Sequence, residues 1–159
     1  MDRLWTPWRY QYITKSLPES QQCIFCAKAA ENADAENFIL FRGRANFALL
    51  NIYPYNNGHF MIAPFQHVAN LEDAPEETAV EMMRLARHGA DVLRRVYRPD
   101  GINLGMNLGM CAGAGVAGHI HLHVLPRWAG DTSFMTTVGE TRVVPEELLS
   151  TWKKLRDAW

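Results

Sequence analysis

Residues His119-Ile120-His121-Leu122-His123-Val124-Leu125 alternate imidazole with aliphatic side chains. A period of two belongs to an extended strand, whose successive side chains point to opposite faces. The pattern puts His119, His121 and His123 on one face and Ile120, Leu122 and Val124 on the other, against a core. The outer two histidines are about 13 Å apart along a straight strand, whereas a metal–nitrogen bond is only about 2.1 Å. One ion can hold two of these rings but all three only with strain, so the row reads as built for divided labour. Histidine suits proton and nucleophile chemistry near neutral pH.

Directly before the row runs Gly109-Met110-Cys111-Ala112-Gly113-Ala114-Gly115-Val116-Ala117-Gly118. Glycine lets backbone N–H groups approach a ligand closely and form an anion-binding concavity. Such a loop beside imidazoles can hold a polyanion without any basic excess. The chain has none: 16 Lys and Arg against 17 Asp and Glu give a net charge of -1. A broad electrostatic nucleic-acid binder needs the opposite balance, so no nucleic-acid partner is expected.

The chain has 159 residues, 48% of them hydrophobic and 21% charged, which suits one globular domain. No run approaches the roughly 20 apolar residues that span a bilayer, and the N-terminus has no signal-peptide pattern. No membrane partner is expected, and the cytoplasm is the expected location. Residues 1–37 read as an irregular aromatic leader containing Trp5-Thr6-Pro7-Trp8-Arg9-Tyr10 and the pair Cys23-x-x-Cys26. That pair suggests metal or redox chemistry, or two reduced thiols packed without metal. Residues 38–128 form the expected core and 129–159 a C-terminal extension.

Strands are expected at 38–41, 47–50, 59–63, 102–108 and 119–125. A long helix is expected from Pro75 to about Tyr97, with Ala79, Val80, Met82, Met83, Ala86, Ala90, Leu93 and Val96 on its buried face and Glu81, Arg84 and Arg87 in solvent. A short helix closes the chain at 146–159. The fold class is α+β, with an antiparallel sheet of about five strands.

The histidine row matches the His-φ-His-φ-His-φ-φ signature of the histidine triad (HIT) superfamily of nucleotide hydrolases and transferases. The Trp5-Thr6-Pro7-Trp8-Arg9 opening, Cys23-Ile24-Phe25-Cys26 and the stretch from His121 to Trp128 resemble the branch of diadenosine tetraphosphate phosphorylase-like proteins. The resemblance implies a HIT-like fold and His121 as a nucleophile that attacks a nucleotide phosphorus and forms a nucleotidyl-histidine intermediate. It implies that His123 contacts the scissile bridge oxygen and that His59 supports the site. Asn51 matches a ribose-binding position, with a turn-capping amide as the lesser alternative for it and for Asn107. Asn107 matches a phosphate-contacting position, and Gly113, Ala114, Gly115 and Val116 form the phosphate loop. Apolar residues around Phe41 and Leu50 are candidates to flank the base.

Zinc-containing relatives add a histidine after the third strand and the first triad histidine to the cysteine pair. The resemblance thus implies a structural zinc on Cys23, Cys26, His67 and His119. It also implies a homodimer with a continuous sheet, for which the leader, Trp152 and Trp159 would serve as interface anchors. Cys111 and His88 look incidental. Many relatives carry Gly-Gln-Ser or Gly-Gln-Thr before the triad, where this chain has Gly113-Ala114-Gly115 and one extra residue through Gly118. A backbone-lined cradle of that kind suits inorganic phosphate as the second nucleophile. The alternatives are a phosphoramidate or mononucleotide hydrolase, a metal-dependent hydrolase, and a non-catalytic nucleotide-binding module.

Overall fold

The computed structural model describes residues 22–132 and 146–159; the Trp5–Tyr10 motif lies outside them. Among the described residues three α-helices and five strands follow one another as α1 (Ile24–Ala30), β1 (Ile39–Arg42), β2 (Asn46–Leu50), β3 (Phe60–Pro64), α2 (Glu76–Tyr97), β4 (Gly101–Met106), β5 (Leu122–Arg127) and α3 (Leu148–Ala158). The sheet order is β1-β2-β3-β5-β4, and every neighbouring pair is antiparallel. β5 fills the gap between β3 and β4 after α2 has carried the chain to the far edge. This is the expected α+β architecture. Among the described residues no helix is long and apolar enough to cross a membrane.

The sheet separates two apolar clusters. Leu40, Ala48, Leu50, Phe60, Ile62, Ile120, Leu122 and Val124 pack under α2 and α3. Ile39, Phe47, Leu49 and Ala63 face the other way and are covered by Phe25 of α1. Seven residues are too few for a helix to persist alone; burying Phe25, 3% exposed, contributes roughly 1.5–3 kcal/mol towards holding α1 in place. The leader is therefore not irregular throughout: tertiary packing creates α1 where no long periodic pattern announces it.

α2 carries Glu76 and Glu77 in its first turn and Arg94 and Arg95 in its last, as its dipole favours. Its buried face is Thr78, Met82, Leu85, Ala86, Gly89, Val92 and Leu93. Val80 and Met83 lie outside it, 42% and 56% exposed, because apolar residues occur on two sides of this helix and the sheet covers one. Gly89 permits the closest approach, since a Cβ there would stand 2.3 Å from Phe60 Cζ. Glu81 is not a solvent-face residue. Its carboxylate accepts the Arg44, Ala45 and Asn46 backbone N–H groups at 2.7–2.8 Å and Asn46 Nδ2 at 2.9 Å, closing the β1–β2 turn. Burial acts to raise its pKa, but these four donors win and hold it below the usual carboxylate value.

A bulge in β1 changes which side chains share a face. Ile39 pairs with Leu49 but Phe41 with Ala48, so the extra residue swings Phe41 to the helix side. There it stacks on Trp159 with ring centroids 5.9 Å apart. Leu50 is buried on that side too. Neither can flank a base on the histidine face, contrary to expectation. Trp152 donates its indole N–H to the Ile39 carbonyl at 2.9 Å, and Trp159 also meets Phe60 and His88. Both tryptophans are engaged within the chain.

Candidate functional site

β5 begins at Leu122, not at residue 119, because its neighbours run out: Ile62 of β3 and Met106 of β4 both pair with Leu122 and no ladder extends beyond it. Ahead of it the chain bends at His119, and Ile120 N–H donates to the Val68 carbonyl at 2.8 Å instead of to a neighbouring strand. The alternation survives without the strand. Ile120, Leu122 and Val124 enter the helix-side core. The three histidines share the opposite face, where the His121 and His123 rings meet edge-on at 4.9 Å and Phe25 contacts both His119, at 5.1 Å, and His121, at 4.8 Å.

Hydrogen bonding assigns each ring its tautomer. His121 Nδ1 lies 2.9 Å from the His119 carbonyl. A carbonyl only accepts, so Nδ1 carries the proton and Nε2 keeps its lone pair. His59 Nδ1 accepts the Tyr55 backbone N–H at 3.1 Å, with Asn51 Nδ2 at 3.4 Å. His59 Nε2 must then carry the proton, which it donates to His123 Nδ1 at 3.0 Å. In the neutral His123 ring that leaves the proton on Nε2. The pair of rings therefore offers one bare nitrogen, on His121, beside one N–H donor, on His123.

Electrostatics keeps these rings uncharged. Burial, reinforced by His123 and His121, pulls His59 down to about 3. Burial and His121 pull His123 down to about 4. Burial lowers His121 as well, although its hydrogen bond to the His119 carbonyl acts the other way. At neutral pH the site holds neutral imidazoles, the form a nitrogen nucleophile needs. His123 faces Gly105 across the β4 ladder, and a Cβ at Gly105 would meet nothing within 4 Å. The β4 side of the site is open.

Of the remaining candidates, Asn51 reaches the histidine cluster and the others lie in or beside the glycine-rich loop. Asn51 is buried; its Oδ1 accepts Tyr53 N–H at 3.0 Å in the turn-capping manner, while its Nδ2 faces His59. Asn107, one residue past β4, donates Nδ2–H to the Gly113 carbonyl at 3.3 Å and so pins the glycine-rich loop. Gly113 and Ala114 use their N–H groups within that loop, on the Met110 and Gly109 carbonyls. Gly115 is exposed, and Val116 packs on the Phe25 cluster.

A second constellation adjoins the first. One ligand atom each from Cys23, Cys26, His67 and His119 lies within 4.8 Å of the others. His119 Nδ1 stands 3.3 Å from Cys23 Sγ, 3.6 Å from Cys26 Sγ and 3.2 Å from His67 Nδ1. The edges of a tetrahedron built on N and S bonds to zinc are roughly 3.3–3.8 Å, so the donors fit a four-coordinate metal ion. His119 Nε2 donates to the Pro64 carbonyl at 2.9 Å, which leaves Nδ1 bare and aimed at the cysteines.

The sequence reading missed Phe25, Tyr55, Asn56 and Asp131. Phe25 had one signal, its place inside Cys23-x-x-Cys26; Tyr55 acts through its backbone N–H, which no residue pattern reports, and through its ring, 4.7 Å from that of His59.

A model of the HIT domain matches residues 32–130. The chain belongs to the HIT family. Among HIT relatives, an AP-4-A phosphorylase of Mycobacterium tuberculosis is 37% identical over 166 aligned residues, covering 100% of this chain and 85% of that one. A Zn-bound histidine triad family protein from Mycobacterium smegmatis superposes with a TM-score of 0.71 and 32% identity, covering 86% of this chain and 92% of that one. A hypothetical histidine triad nucleotide-binding protein from Sulfolobus tokodaii gives a TM-score of 0.69 at 27% identity, covering 86% and 91%.

Proposed function

We propose that this HIT protein is a nucleotidyl-transferring enzyme that cleaves a dinucleoside polyphosphate such as diadenosine tetraphosphate, with His121 as nucleophile. The observation that carries this reading is the 2.9 Å contact of His121 Nδ1 with the His119 carbonyl, which leaves Nε2 bare. Nε2 attacks a phosphorus, a P–N bond forms, and the P–O bond to the bridge oxygen breaks. Its electron pair departs with that oxygen, towards which His123 Nε2–H donates a hydrogen bond that strengthens as charge develops. His59 orients His123. Asn51 serves the ribose; Asn107 and the loop of Gly113, Ala114, Gly115 and Val116 serve the phosphates. The AP-4-A phosphorylase relative supports this substrate class.

Inorganic phosphate then attacks the nucleotidyl-histidine, forming P–O and breaking P–N. Diadenosine tetraphosphate would give ADP and ATP. Zinc is the proposed occupant of Cys23, Cys26, His67 and His119, supported by the Zn-bound relative. Four protein ligands leave no open position, so its role is structural. Free thiols as ligands suit a reducing compartment, consistent with the cytoplasm. A homodimer is proposed along β4, an outer strand of the sheet with Leu104 49% exposed.

Product analysis with and without inorganic phosphate tests the reaction. ADP plus ATP, dependent on phosphate, is expected; AMP plus ATP regardless of phosphate would establish a hydrolase instead. A folded His121→Ala protein should show no turnover and no adduct with radiolabelled substrate. Undiminished turnover in that variant would overturn the nucleophile assignment.

A further inference from the structure

The loop joining β2 to β3 delivers the Tyr55 N–H to His59, and it is fastened at two points. Gly58 adopts φ +80°, and a Cβ there would sit 3.0 Å from both Leu93 and Tyr97 of α2. Asn56 is the other fastening. Its Nδ2 donates to the Pro126 carbonyl on β5 at 3.0 Å and to Asp131 Oδ2 at 2.9 Å, and its own carbonyl accepts the His59 N–H at 3.2 Å. Asp131 does not move freely. Arg127 grips both of its oxygens, Nε on Oδ2 and Nη2 on Oδ1, while Trp128 N–H reaches Oδ2 at 3.3 Å. Arg127 is in turn tied to Asn103 of β4 at 2.9 Å. A frame built on β4 and β5 thus reaches across to the β2–β3 loop through one carboxamide.

We propose that Asn56 and Asp131 are positioning residues for leaving-group departure: Asp131 holds Asn56, Asn56 holds the loop, and the loop keeps the Tyr55 N–H on His59 Nδ1 so that the His123 proton stays on Nε2. This rests on the assignment of His121 as nucleophile and His123 as donor to the bridge oxygen. Without the Tyr55 donor, neutral His59 can carry its proton on either nitrogen. When the proton sits on Nδ1, His59 Nε2 becomes an acceptor and draws the His123 proton to His123 Nδ1. The donor aimed at the bridge oxygen is then lost, while His121 and its carbonyl are untouched. Outer partners that orient a metal-bound imidazole are typically worth 10- to 100-fold, and the lower end of that range is the loss expected for orienting His123.

Two measurements test this on the full chain with its metal bound. The first is the histidine ring nitrogen spectrum with 15N label. The native protein should show protonated Nε2 on both His59 and His123, and Asn56→Ala should lose that pattern while His121 keeps protonated Nδ1. An unaltered His59 and His123 pattern in Asn56→Ala would overturn the proposal. Asp131→Ala provides a second variant should Asn56→Ala fail to fold, with the same expected result. The second measurement compares aryl esters of adenosine 5′-monophosphate. A dinitrophenolate leaves with little help, whereas a phenolate needs a donor. Asn56→Ala should therefore lower the phenyl-to-dinitrophenyl ratio of kcat/KM by about 10-fold. An equal loss on both esters would mark the residue as merely structural. Should the native protein form no His121 adduct, the functional reading falls, and the nitrogen spectrum still decides the tautomer relay by itself.

Discussion

The backbone carbonyl of His119 accepts the His121 Nδ1 proton at 2.9 Å, while the His119 ring itself faces Cys23, Cys26 and His67. One residue thus belongs to the proposed metal-ligand set and fixes the tautomer of the neighbouring imidazole. Its position is further held by the Pro64 carbonyl on Nε2 and by Ile120 N–H on Val68. Whatever holds the His119 ring also holds the lone pair of His121.

Metal removal should therefore act on stability and on turnover together. A ligand at 100 times its dissociation constant stabilises by about 2.7 kcal/mol, which for a chain of this size corresponds to roughly 5–10 °C in Tm. Chelation, or Cys26→Ser, is expected to remove the metal by elemental analysis, lower Tm by that amount and reduce kcat more than it raises KM. An unchanged Tm after confirmed metal loss would contradict the role given to these four ligands.

Phe25 lies between the two cysteines and packs on His119 and His121. Replacing it by leucine keeps an apolar side chain over the sheet but removes both ring contacts. Each aromatic contact of this kind is worth about 0.5–1.5 kcal/mol beyond area. Phe25→Leu should lose about 1–3 kcal/mol of stability and several-fold in kcat, with metal stoichiometry retained. Calorimetry, elemental analysis and steady-state kinetics together read this out.

The pH dependence of stability has a defined sign. An unfolded histidine titrates near about 6.5, whereas His59 and His123 titrate at about 3 and about 4 in the folded chain. Between those values the folded state binds fewer protons than the unfolded state, so stability is complete above about pH 6.5 and drains as pH falls towards 4 and then 3. Thermal unfolding from pH 8 to 4 should show a flat upper range and a falling lower range. His59→Asn should flatten the lower range; an equally steep fall in that variant would remove His59 as its source.

Gly89→Ala sets helix propensity against packing. In an exposed helix this change gains about 1 kcal/mol. Here the new methyl would meet Phe60 Cζ at 2.3 Å, and overpacking of a core costs about 1–3 kcal/mol. A net loss of Tm is expected, with the metal content unchanged.

Much of the fold is legible in local pattern. The period-two row, the helix from residue 76 to 97 with charges suited to its ends, and Cys23-x-x-Cys26 can all be read from neighbouring residues. What pattern misjudged has a common physical origin. Val80 and Met83 repeat at helical spacing, yet the sheet covers only the other side of α2. Phe41 alternates correctly, yet one bulged residue turns it towards Trp159. Glu81 looks like any surface carboxylate until a hairpin turn brings three backbone N–H groups to it.

The site divides along the same line. Residue types and their spacing suffice to name the imidazoles and thiols, because strand alternation and a one-turn separation are properties of the chain's own stereochemistry. Which nitrogen of His121 is bare, whether His59 donates or accepts, and whether Cys23 meets His119 from 96 positions away depend on contacts a few ångströms long between distant segments. Those distances exist only once β3, β5 and α1 are packed together, and the proton on each ring follows from them.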